Sequence, residues 1–471
     1  MKKNLPIIIV LLLFFIQEGN TQVVNYFSVP GYNEISKIDT NAYSVLPSGR
    51  YVKPAGQSIR ISHDPFGLAI SPNQKIAITM HENAITIIDL ASMQQKRIPE
   101  YKKNAFNPLK KGSFLGVAFN TNKNIVYLSG GDEGSVIIYD YVQNKKIDSI
   151  LLDGIFGGIK YEGSFTSDLI YEATRNELLI LDRGNFRLVR YSLNNKKIIA
   201  SIPTGRQPFG LAISPDQKTV LVANVGMYAY PIVEGTTKEN IQSQYINWHP
   251  YGNNTKESIE GKVIDGKKIP GLGSPNADES MSVFVIDLAT NKVKAKLKTG
   301  MLLGELVEDA EVIGGASPNS IVVGTKFAYV TNATNDNIAV IDYKRGRIAK
   351  HIAIKVDQRI DKLRGLVPFG IDLTKDEKYL FVALLGFNAV AKIDLASEKT
   401  LGLIPTGWGT TRVKLSNDDK TIYVTSCRGL GAGPNGGKNF KIPAQGSYIG
   451  DIQLGSFQKI ENPSIDKLKA Y

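Results

Sequence analysis

The chain has 471 residues, of which 42% are hydrophobic and 21% are charged, so it can bury the core of an ordinary globular protein. Its single cysteine excludes an internal disulfide. The net charge of +12 comes from lysines that are scattered along the chain, which is more typical of a solvated basic surface than of a nucleic-acid site with clustered charge.

The first segment predicts a secretory signal peptide over residues 1–22. Lys2 and Lys3 precede an apolar run from Pro6 to Ile16, and small and polar residues follow. The run is shorter than the roughly 20 residues that span a bilayer. We therefore expect an exported protein, periplasmic or extracellular, without a transmembrane association after cleavage. An uncleaved anchor is the alternative.

A repeated pattern of strands follows and continues through the chain. Four segments open a copy with an apolar strand and lead through a polar turn into a second strand. They read PFGLAISP at 65–72 and 208–215, PFGIDLT at 368–374 and TRVKLS at 411–416. Three weaker copies lie at 114–141, 165–193 and 317–343. Seven copies of about four strands each predict an all-β fold, a single seven-bladed β-propeller over residues 23–471.

Short motifs at the second strand carry a family resemblance. Residues 329–332 read YVTN, and YVTS at 423–426 and LVAN at 221–224 are near variants. In these motifs the chain resembles the YVTN repeats of YncE-like propellers, from about residue 43 to residue 463. The resemblance implies a propeller but little about function, because fold does not determine function.

Two glycine-rich stretches carry a narrower resemblance. GGASPNSIVV at 314–323 and GLGAGPNGG at 429–437 are similar to the propeller half of bacterial proteins that fuse this propeller to an alkaline-phosphatase-like phosphoesterase. The phosphoesterase would begin near Tyr471, where this sequence stops. We therefore expect a propeller without the enzyme, whose phosphoesterase partner is supplied as a separate chain.

The stretch GLGAGPNGG lacks the Gly-Lys-Ser/Thr ending with which a P-loop reaches phosphate. It lies between two predicted strands, so we interpret it as a surface loop whose glycines supply positive φ angles. Contact with a ligand or partner at the propeller face is the alternative. Cys427, just before it, is predicted to be a small strand residue.

Two segments interrupt the repeats. A long insertion at about 227–281 splits the fourth blade, and its residues Trp248, His249 and Tyr251 form a candidate aromatic recognition loop. A cap over the propeller face is the compatible alternative. The second segment, GELVEDAE at 304–311, predicts a short amphipathic helix with an acidic side, with metal binding as the alternative.

Alignment of the repeats indicates a candidate binding surface at the mouth of the central channel. The residue two positions before the PFG proline is His63 in the first copy and Arg206 in the fourth, and the aligned residues are Leu366 and Trp408 in the sixth and seventh. Arg412 replaces the glycine of PFG. The phenylalanines of these motifs are expected behind the mouth, between blades.

No catalytic residue, cofactor site or metal site is predicted, since the sequence contains no motif that carries one. The sequence predicts an exported, non-catalytic propeller that binds a protein partner, with a phosphoesterase as the candidate. Three alternatives remain open: a propeller hydrolase or lactonase with a divalent metal in the channel, a binder of DNA or another anionic polymer, and a redox-partner propeller.

Overall fold

The computed structural model describes residues 28–100, 105–109, 115–237, 239–241, 255–307, 310–360, 363–432 and 452–471. Within these ranges seven four-stranded antiparallel sheets form the blades of a propeller, which confirms the predicted all-β class and seven-bladed fold. The predicted signal peptide lies outside the described residues.

The strands follow one another in chain order. A hairpin of β1 (Ser44–Val45) and β2 (Tyr51–Val52) precedes β3 (Gln57–Ile61). Blade 1 consists of β4 (Gly67–Ile70), β5 (Ile76–Met80), β6 (Ile85–Asp89) and β7 (Gln95–Ile98). Blade 2 consists of β8 (Val117–Phe119), β9 (Ile125–Ser129), β10 (Ser135–Asp140) and β11 (Lys145–Leu151). The hairpin of β12 (Gly154–Phe156) and β13 (Ile159–Tyr161) leads into blade 3, with β14 (Thr166–Glu172), β15 (Glu177–Asp182), β16 (Arg187–Ser192) and β17 (Lys197–Pro203).

Blade 4 contains the insertion. Its inner strands are β18 (Pro208–Ile213) and β19 (Thr219–Asn224). Helix α1 (Lys256–Glu260) and the hairpin of β20 (Gly261–Ile264) and β21 (Lys267–Pro270) lie in the insertion, and the blade resumes with β22 (Ser282–Asp287) and β23 (Lys292–Lys298). The hairpin of β24 (Leu306–Val307) and β25 (Ala310–Glu311) precedes blade 5, with β26 (Pro318–Val323), β27 (Ala328–Asn332), β28 (Asn337–Asp342) and β29 (Arg347–Ala353).

The last two blades complete the ring. A 3-10 turn (Gln358–Ile360) precedes blade 6, with β30 (Pro368–Leu373), β31 (Tyr379–Leu384), β32 (Ala389–Asp394) and β33 (Lys399–Pro405). Blade 7 contains β34 (Trp408–Leu415), β35 (Thr421–Gly429) and β36 (Gly455–Glu461), and helix α2 (Ile465–Ala470) follows. Strand β3 is its outermost strand, pairing Ile59 with Phe457. This pairing, which closes the ring, is absent from the sequence predictions.

The hydrophobic core lies between neighbouring blades rather than at the axis. One cluster joins Leu221 and Val283 of blade 4 to Ala328 and Val330 of blade 5, all of them inaccessible to solvent. The middle strands are apolar on both faces because each sheet is covered by a blade on either side. Outer strands such as β29 are mostly exposed, and Ile352 is its one buried residue, as expected for a strand at the rim.

The seven inner strands contact one another in a closed ring around the axis. At the position of the PFG phenylalanine, blades 3, 5 and 7 carry polar side chains instead. Each of them donates to the carbonyl of the proline that precedes the phenylalanine of the next blade. These bonds are Ser167 Oγ to Pro208 O at 3.0 Å, Asn319 Nδ2 to Pro368 O at 3.1 Å and Thr411 Oγ1 to Pro65 O at 2.7 Å. Side-chain hydrogen bonds thus join the blades where the main chains approach most closely.

The glycine of the PFG motif permits that approach. A Cβ at Gly210 would lie 2.1 Å from the carbonyl oxygen of Asn319, and one at Gly370 would lie 2.7 Å from the Cα of Arg412. Both distances are shorter than any allowed contact with backbone atoms. A side chain at either position would therefore push the neighbouring inner strand away.

The connections divide into two faces, because successive turns of an antiparallel meander alternate between its ends. The plain face carries the thirteen connections within blades between first and second or third and fourth strands, each four or five residues long. The elaborated face carries the connections between blades and between second and third strands. Its six long connections are 99–116, 152–165, 225–281, 299–317, 354–367 and 430–454.

Two local predictions can be compared with the structure. The acidic segment was predicted to be helical, and this is wrong: it forms the β24–β25 hairpin, in which Leu306 pairs with Glu311. Val312 N donates to Glu305 O, so the hairpin satisfies backbone groups that so short an isolated helix would leave open. Cys427 lies within β35, as predicted, and burial raises the pKa of its thiol to about 11.

Candidate functional site

The four candidate residues of the channel mouth contact different parts of the protein. His63 Nδ1 donates to Asp64 Oδ2 at 3.0 Å, and Asp64 also pairs with Arg428 Nη1 at 2.6 Å. His63 is thus hydrogen-bonded to the ion pair of Asp64 and Arg428, which joins the entry of blade 1 to the end of β35 in blade 7.

The backbone of His63 is fixed by a second histidine, which the sequence analysis left unassigned. His81 Nδ1 donates to His63 O at 2.7 Å, and the hydroxyls of Thr79 and Thr86 lie 2.9 and 3.0 Å from His81 Nε2. Burial lowers the pKa of His81 to about 3, so the ring is neutral at physiological pH.

Arg206 holds the two ends of the insertion. Its Nη1 donates to Met227 O at 2.7 Å and to Ser274 O at 2.8 Å, which lie on either side of the segment that the structure leaves undescribed. Burial lowers the pKa of the guanidinium below its ordinary value. This residue therefore acts as a clamp at the base of the elaborated face.

Trp408 packs against the N-terminal hairpin. Its neighbours are Leu46, Val52 and Leu430, which form a small apolar cluster beside the inner strand of blade 7. The aligned residue of blade 6, Leu366, is buried in the cluster between blades 5 and 6. The aligned positions thus serve different packing environments.

The candidate recognition residues Trp248, His249 and Tyr251 lie outside the described residues. Their role as a recognition loop remains a prediction. The described flanks of the insertion run over the elaborated face: Ala229 N donates to Leu272 O at 2.9 Å, which brings the two flanks together.

Arg412 is the candidate that reaches the central channel. Its Nε donates to Phe66 O at 2.7 Å and its Nη1 donates to Ser320 Oγ at 2.8 Å, so its hydrogen bonds join blade 7 to blades 1 and 5. The guanidinium carbon lies 5.5 Å from the centre of the Phe369 ring, within the range of a cation–π contact. Burial lowers its pKa, although the charge of Asp168 opposes that effect.

The three PFG phenylalanines meet one another rather than packing separately between blades. The ring centres of Phe66 and Phe369 are 5.7 Å apart and those of Phe209 and Phe369 are 5.9 Å apart, both with edge-to-face geometry. The expectation that they fill the spaces between blades is therefore wrong. They come from blades 1, 4 and 6 and form an aromatic cluster at the axis.

A cavity of about 150 Å³ adjoins Arg412. Every blade contributes to it one aliphatic residue from the position after the PFG glycine: Leu68, Val117, Leu169, Leu211, Ile321, Ile371 and Val413. Its charged and polar lining comes from Asp168, Ser320, Arg412 and Lys414. Leu68, Leu211 and Val413 are buried in the clusters between blades, so the wall of the cavity is mainly polar. Asp168 of blade 3 and Arg412 of blade 7 both contribute to it.

Asp168 is the cavity residue that the sequence analysis missed. Burial raises the pKa of its carboxyl to about 6, against the opposing effects of Arg412, of backbone hydrogen bonds and of Lys414. A signal was present in the repeats: TSDL at 166–169 aligns with PFGL at 208–211, which places Asp168 at the same glycine position as Arg412.

The elaborated face also carries most of the exposed large apolar side chains. Those on its connections are Phe106, Ile155, Ile159, Tyr230, Ile232, Ile241, Val263, Met301, Leu306, Ile313 and Leu363. Val142 is the one counterpart among the described turns of the plain face. Exposed apolar side chains that concentrate on one face are typical of an interaction surface.

The described residues contain no cluster of three or more histidine, cysteine, aspartate or glutamate side chains suited to a metal ion. None of the helices in the described ranges has the length and apolar character needed to cross a bilayer.

Comparison with known proteins gives matches among solved structures. No protein-family model matches the chain, and no curated protein matches it. Solved structures do match, among them hydrazine synthase of Kuenenia stuttgartiensis, with a TM-score of 0.49 and 16% sequence identity over 78% of this chain and 94% of that chain. At this level of similarity nothing about activity follows.

Proposed function

We propose that the protein is a non-catalytic binding module that engages a protein partner through its elaborated face. The observation that carries the proposal is the difference between the two faces. Tight turns close one end of every blade, whereas long connections with exposed apolar tips occupy the other end. A surface of this kind is stabilised when a partner covers it.

The apolar tips stand on supports that are fixed at their base. The connection into blade 3 presents Ile155 and Ile159, which are 77% and 57% exposed. Beneath them Arg187 Nη2 donates to Leu152 O at 2.8 Å, and its guanidinium lies 3.5 Å from the Tyr161 ring centre. Such preorganisation reduces the entropy that binding costs.

A phosphoesterase is the partner that we propose. The support is the similarity of GGASPNSIVV and GLGAGPNGG to the propeller half of phosphoesterase fusion proteins, together with the YncE-like character of the repeats. We further propose that the encounter takes place outside the cytoplasm, since residues 1–22 have the pattern of a signal peptide.

The test compares matched variants of the two faces. Ile155→Ser with Ile159→Ser, and separately Leu306→Ser with Ile313→Ser, remove apolar tips from the elaborated face, while Val142→Ser removes one from the plain face. Proteins that copurify with the tagged chain from the envelope and secreted fractions of its own host are identified, and the affinity of the purified partner is then measured by calorimetry.

We expect an elaborated-face pair to weaken partner binding at least tenfold, about 1.4 kcal/mol or more, and the Val142 variant to bind as the parent does. Equal losses at both faces, or no partner that depends on the elaborated face, would contradict the proposal. Recovery of a partner other than a phosphoesterase would contradict only its identity.

The net charge of +12 favours one second candidate, the binding of DNA or another anionic polymer. Binding of a duplex oligonucleotide that weakens steeply between 50 and 200 mM salt would support it. A screen for bound divalent metal and for hydrolysis of phosphoesters and lactones tests the remaining alternative, a propeller hydrolase.

A further inference from the structure

The axial cavity is lined by three charged side chains, Asp168, Arg412 and Lys414, and none of them forms an ion pair with another described residue. Burial raises the pKa of Asp168, and the charges of Arg412 and Lys414 oppose that effect through space. The three groups thus influence one another without direct contact. Buried charges without partners are costly, so an occupant of the cavity that pairs with them would be stabilising.

The guanidinium of Arg412 keeps donors for an occupant. Its Nε donates to Phe66 O at 2.7 Å and its Nη1 donates to Ser320 Oγ at 2.8 Å, which fixes its orientation. No hydrogen bond of Nη2 to a described residue is present, although burial separates the group from bulk water and lowers its pKa. A guanidinium carries five N–H donors, so some of them face no described acceptor.

Lys414 is the second cation of the lining and lies two residues further along β34. Its ammonium carries three donors, and none of them is hydrogen-bonded to a residue of the described ranges. The pairing of β34 with β35 is regular from residue 412 to residue 415, and side chains two apart on a strand share one face. Arg412 and Lys414 therefore bring two positive charges to the same side of the strand.

The carboxylates of this region are bound by backbone groups. Asp168 accepts from the N–H of Leu169 at 2.9 Å and from that of Leu211. Asp372, on the neighbouring inner strand β30, is not part of the lining and accepts from the N–H of Leu415 at 2.8 Å. The lining therefore has two positive groups and one negative group, and one positive charge is left without a counterion.

The size and the wall of the cavity limit what can occupy it. Its volume is about 150 Å³ and its wall is mainly polar, which leaves room for a small ion with a few water molecules. A cation would add to the excess of positive charge, and an apolar molecule would leave that charge unpaired. Water alone would hydrate the charge without neutralising it. A monovalent anion makes the lining neutral.

We propose that the axial cavity binds a small monovalent inorganic anion of the size of chloride, held by the guanidinium of Arg412 and the ammonium of Lys414. Ser320 also lines the cavity, and its hydroxyl, which accepts from Arg412, retains its own proton as a further donor. The ion would supply the counterion that the described residues do not supply. This site is independent of the elaborated face and of any protein partner.

The first experiment requires no variant. The full chain is transferred into sodium gluconate, whose anion is bulkier, and chloride, bromide or sulfate then replaces gluconate at constant ionic strength while calorimetry records the unfolding temperature. We expect chloride and bromide to raise it as a ligand that binds only the folded state does, and sulfate to raise it less. An equal or larger effect of sulfate, or no effect of chloride, would overturn the proposal.

The second experiment locates the ion. Crystals of the full chain are soaked in sodium bromide, and the anomalous scattering of bromide marks its position. We expect one bromide in the axial cavity, in contact with Arg412 and Lys414. Bromide that binds only elsewhere on the protein, with water alone in the cavity, would overturn the proposal even if the unfolding temperature rises.

The third experiment uses two substitutions with opposite expected effects on chloride affinity. Lys414→Met removes a positive charge and should weaken binding by about tenfold or more, whereas Asp168→Asn removes the negative charge and should strengthen binding. Lys378→Met removes an exposed charge from a plain-face turn and, as the matched control, should leave the affinity unchanged. Changes in the same direction at Lys414 and Asp168 would contradict the proposal. If either variant fails to fold, the bromide position in the parent decides.

Discussion

The plain face and the elaborated face are built from opposite ends of the same strands, yet they follow different rules. On the plain face four blades repeat one turn, in which a Ser or Thr hydroxyl donates to an Asp or Asn two residues later. These pairs are Ser71 with Asn73, Ser214 with Asp216, Thr374 with Asp376 and Ser416 with Asp418, with oxygen–oxygen distances of 2.5 to 2.8 Å. The hydrogen bond that shapes each turn lies within the turn itself. Neighbouring turns also meet, as where Lys375 N donates to Asp419 Oδ2 at 2.8 Å.

The elaborated face depends on contacts between segments that are distant in the chain. Arg206 joins the two flanks of the insertion, and Arg187 joins blade 3 to the connection before it. The comparison teaches that a repeat determines the geometry of one face, while buried polar residues on the other hold irregular connections in place. Changes at these residues should therefore have larger effects than changes at the turns.

The largest effect is expected for Asp182→Ala, which breaks the buried pair under the elaborated face. Arg187 Nε donates to Asp182 Oδ2 at 2.7 Å, and the two side chains are 2% and 0% exposed. Because the substitution leaves a buried guanidinium without its counterion, the free energy of unfolding should fall by about 3–5 kcal/mol. Urea unfolding of the parent and of the variant measures this difference in the free energy of unfolding.

A surface pair on the plain face is the control for this prediction. Lys378, which pairs with Asp376, is 67% exposed, and Lys378→Ala should change the free energy of unfolding by no more than about 0.5 kcal/mol. If both substitutions have equally small effects, the distinction between buried and local supports is wrong.

The second largest effect is a pH dependence of the free energy of unfolding that comes from His81, below the elaborated face. Its pKa is about 3 in the folded protein, against an ordinary value of 6.5, so only the unfolded chain takes up this proton between those values. The free energy of unfolding therefore falls as the pH decreases below 6.5, by about 2 kcal/mol between pH 7 and pH 5 from this residue.

His81→Asn tests the pH effect, because asparagine stands at the same repeat position in Asn224 and Asn332. Urea unfolding at pH 7 and pH 5 should show a smaller pH dependence in the variant by that amount. An unchanged pH dependence would show that His81 is not the group responsible.

The smallest loss of stability is expected for substitutions at the two ends of β18 in blade 4, which should differ in their effect on proteolysis. Arg206→Ala should release the insertion, so that limited proteolysis within 227–281 becomes faster while the free energy of unfolding falls by about 1–2 kcal/mol. Asp216→Ala, at the other end of β18, should cost about 1 kcal/mol and leave the proteolysis unchanged. Faster cleavage in both variants would contradict the assignment of Arg206 as a local clamp.

The structural features that the sequence predicts are those with a local, repeated pattern. The apolar runs and the Ser-Pro-Asp type of turn recur locally, so the sequence predicts strands, blades and their number. The pairing of β3 with β36 has no local signature, because it joins residues at opposite ends of the chain. The hairpin at 304–311 was missed since carboxylates and apolar residues fit a helical pattern as well as a strand pattern.

The residues of the candidate site were likewise predictable where they stand at a position of the repeat. Arg412 was found because the repeat alignment placed it at a glycine position, and the same comparison applied to blade 3 reveals Asp168. The clamp role of Arg206 depends on Met227 O and Ser274 O, which are backbone groups of an irregular segment without a repeat. No sequence pattern brings such groups to a particular side chain.

The closing strand imposes an order on biosynthesis. Blades 1 to 6 are each contiguous in the chain apart from the insertion in blade 4, so they can form in sequence as the ribosome releases them. Strand β3 emerges before blade 1 but must wait for β36, and Gln458 Nε2 donates to Ala55 O across 403 positions. Until β36 has been synthesised, β3 and the open sides of blades 1 and 6 remain uncovered, which makes this period the one in which a nascent chain most needs protection by chaperones.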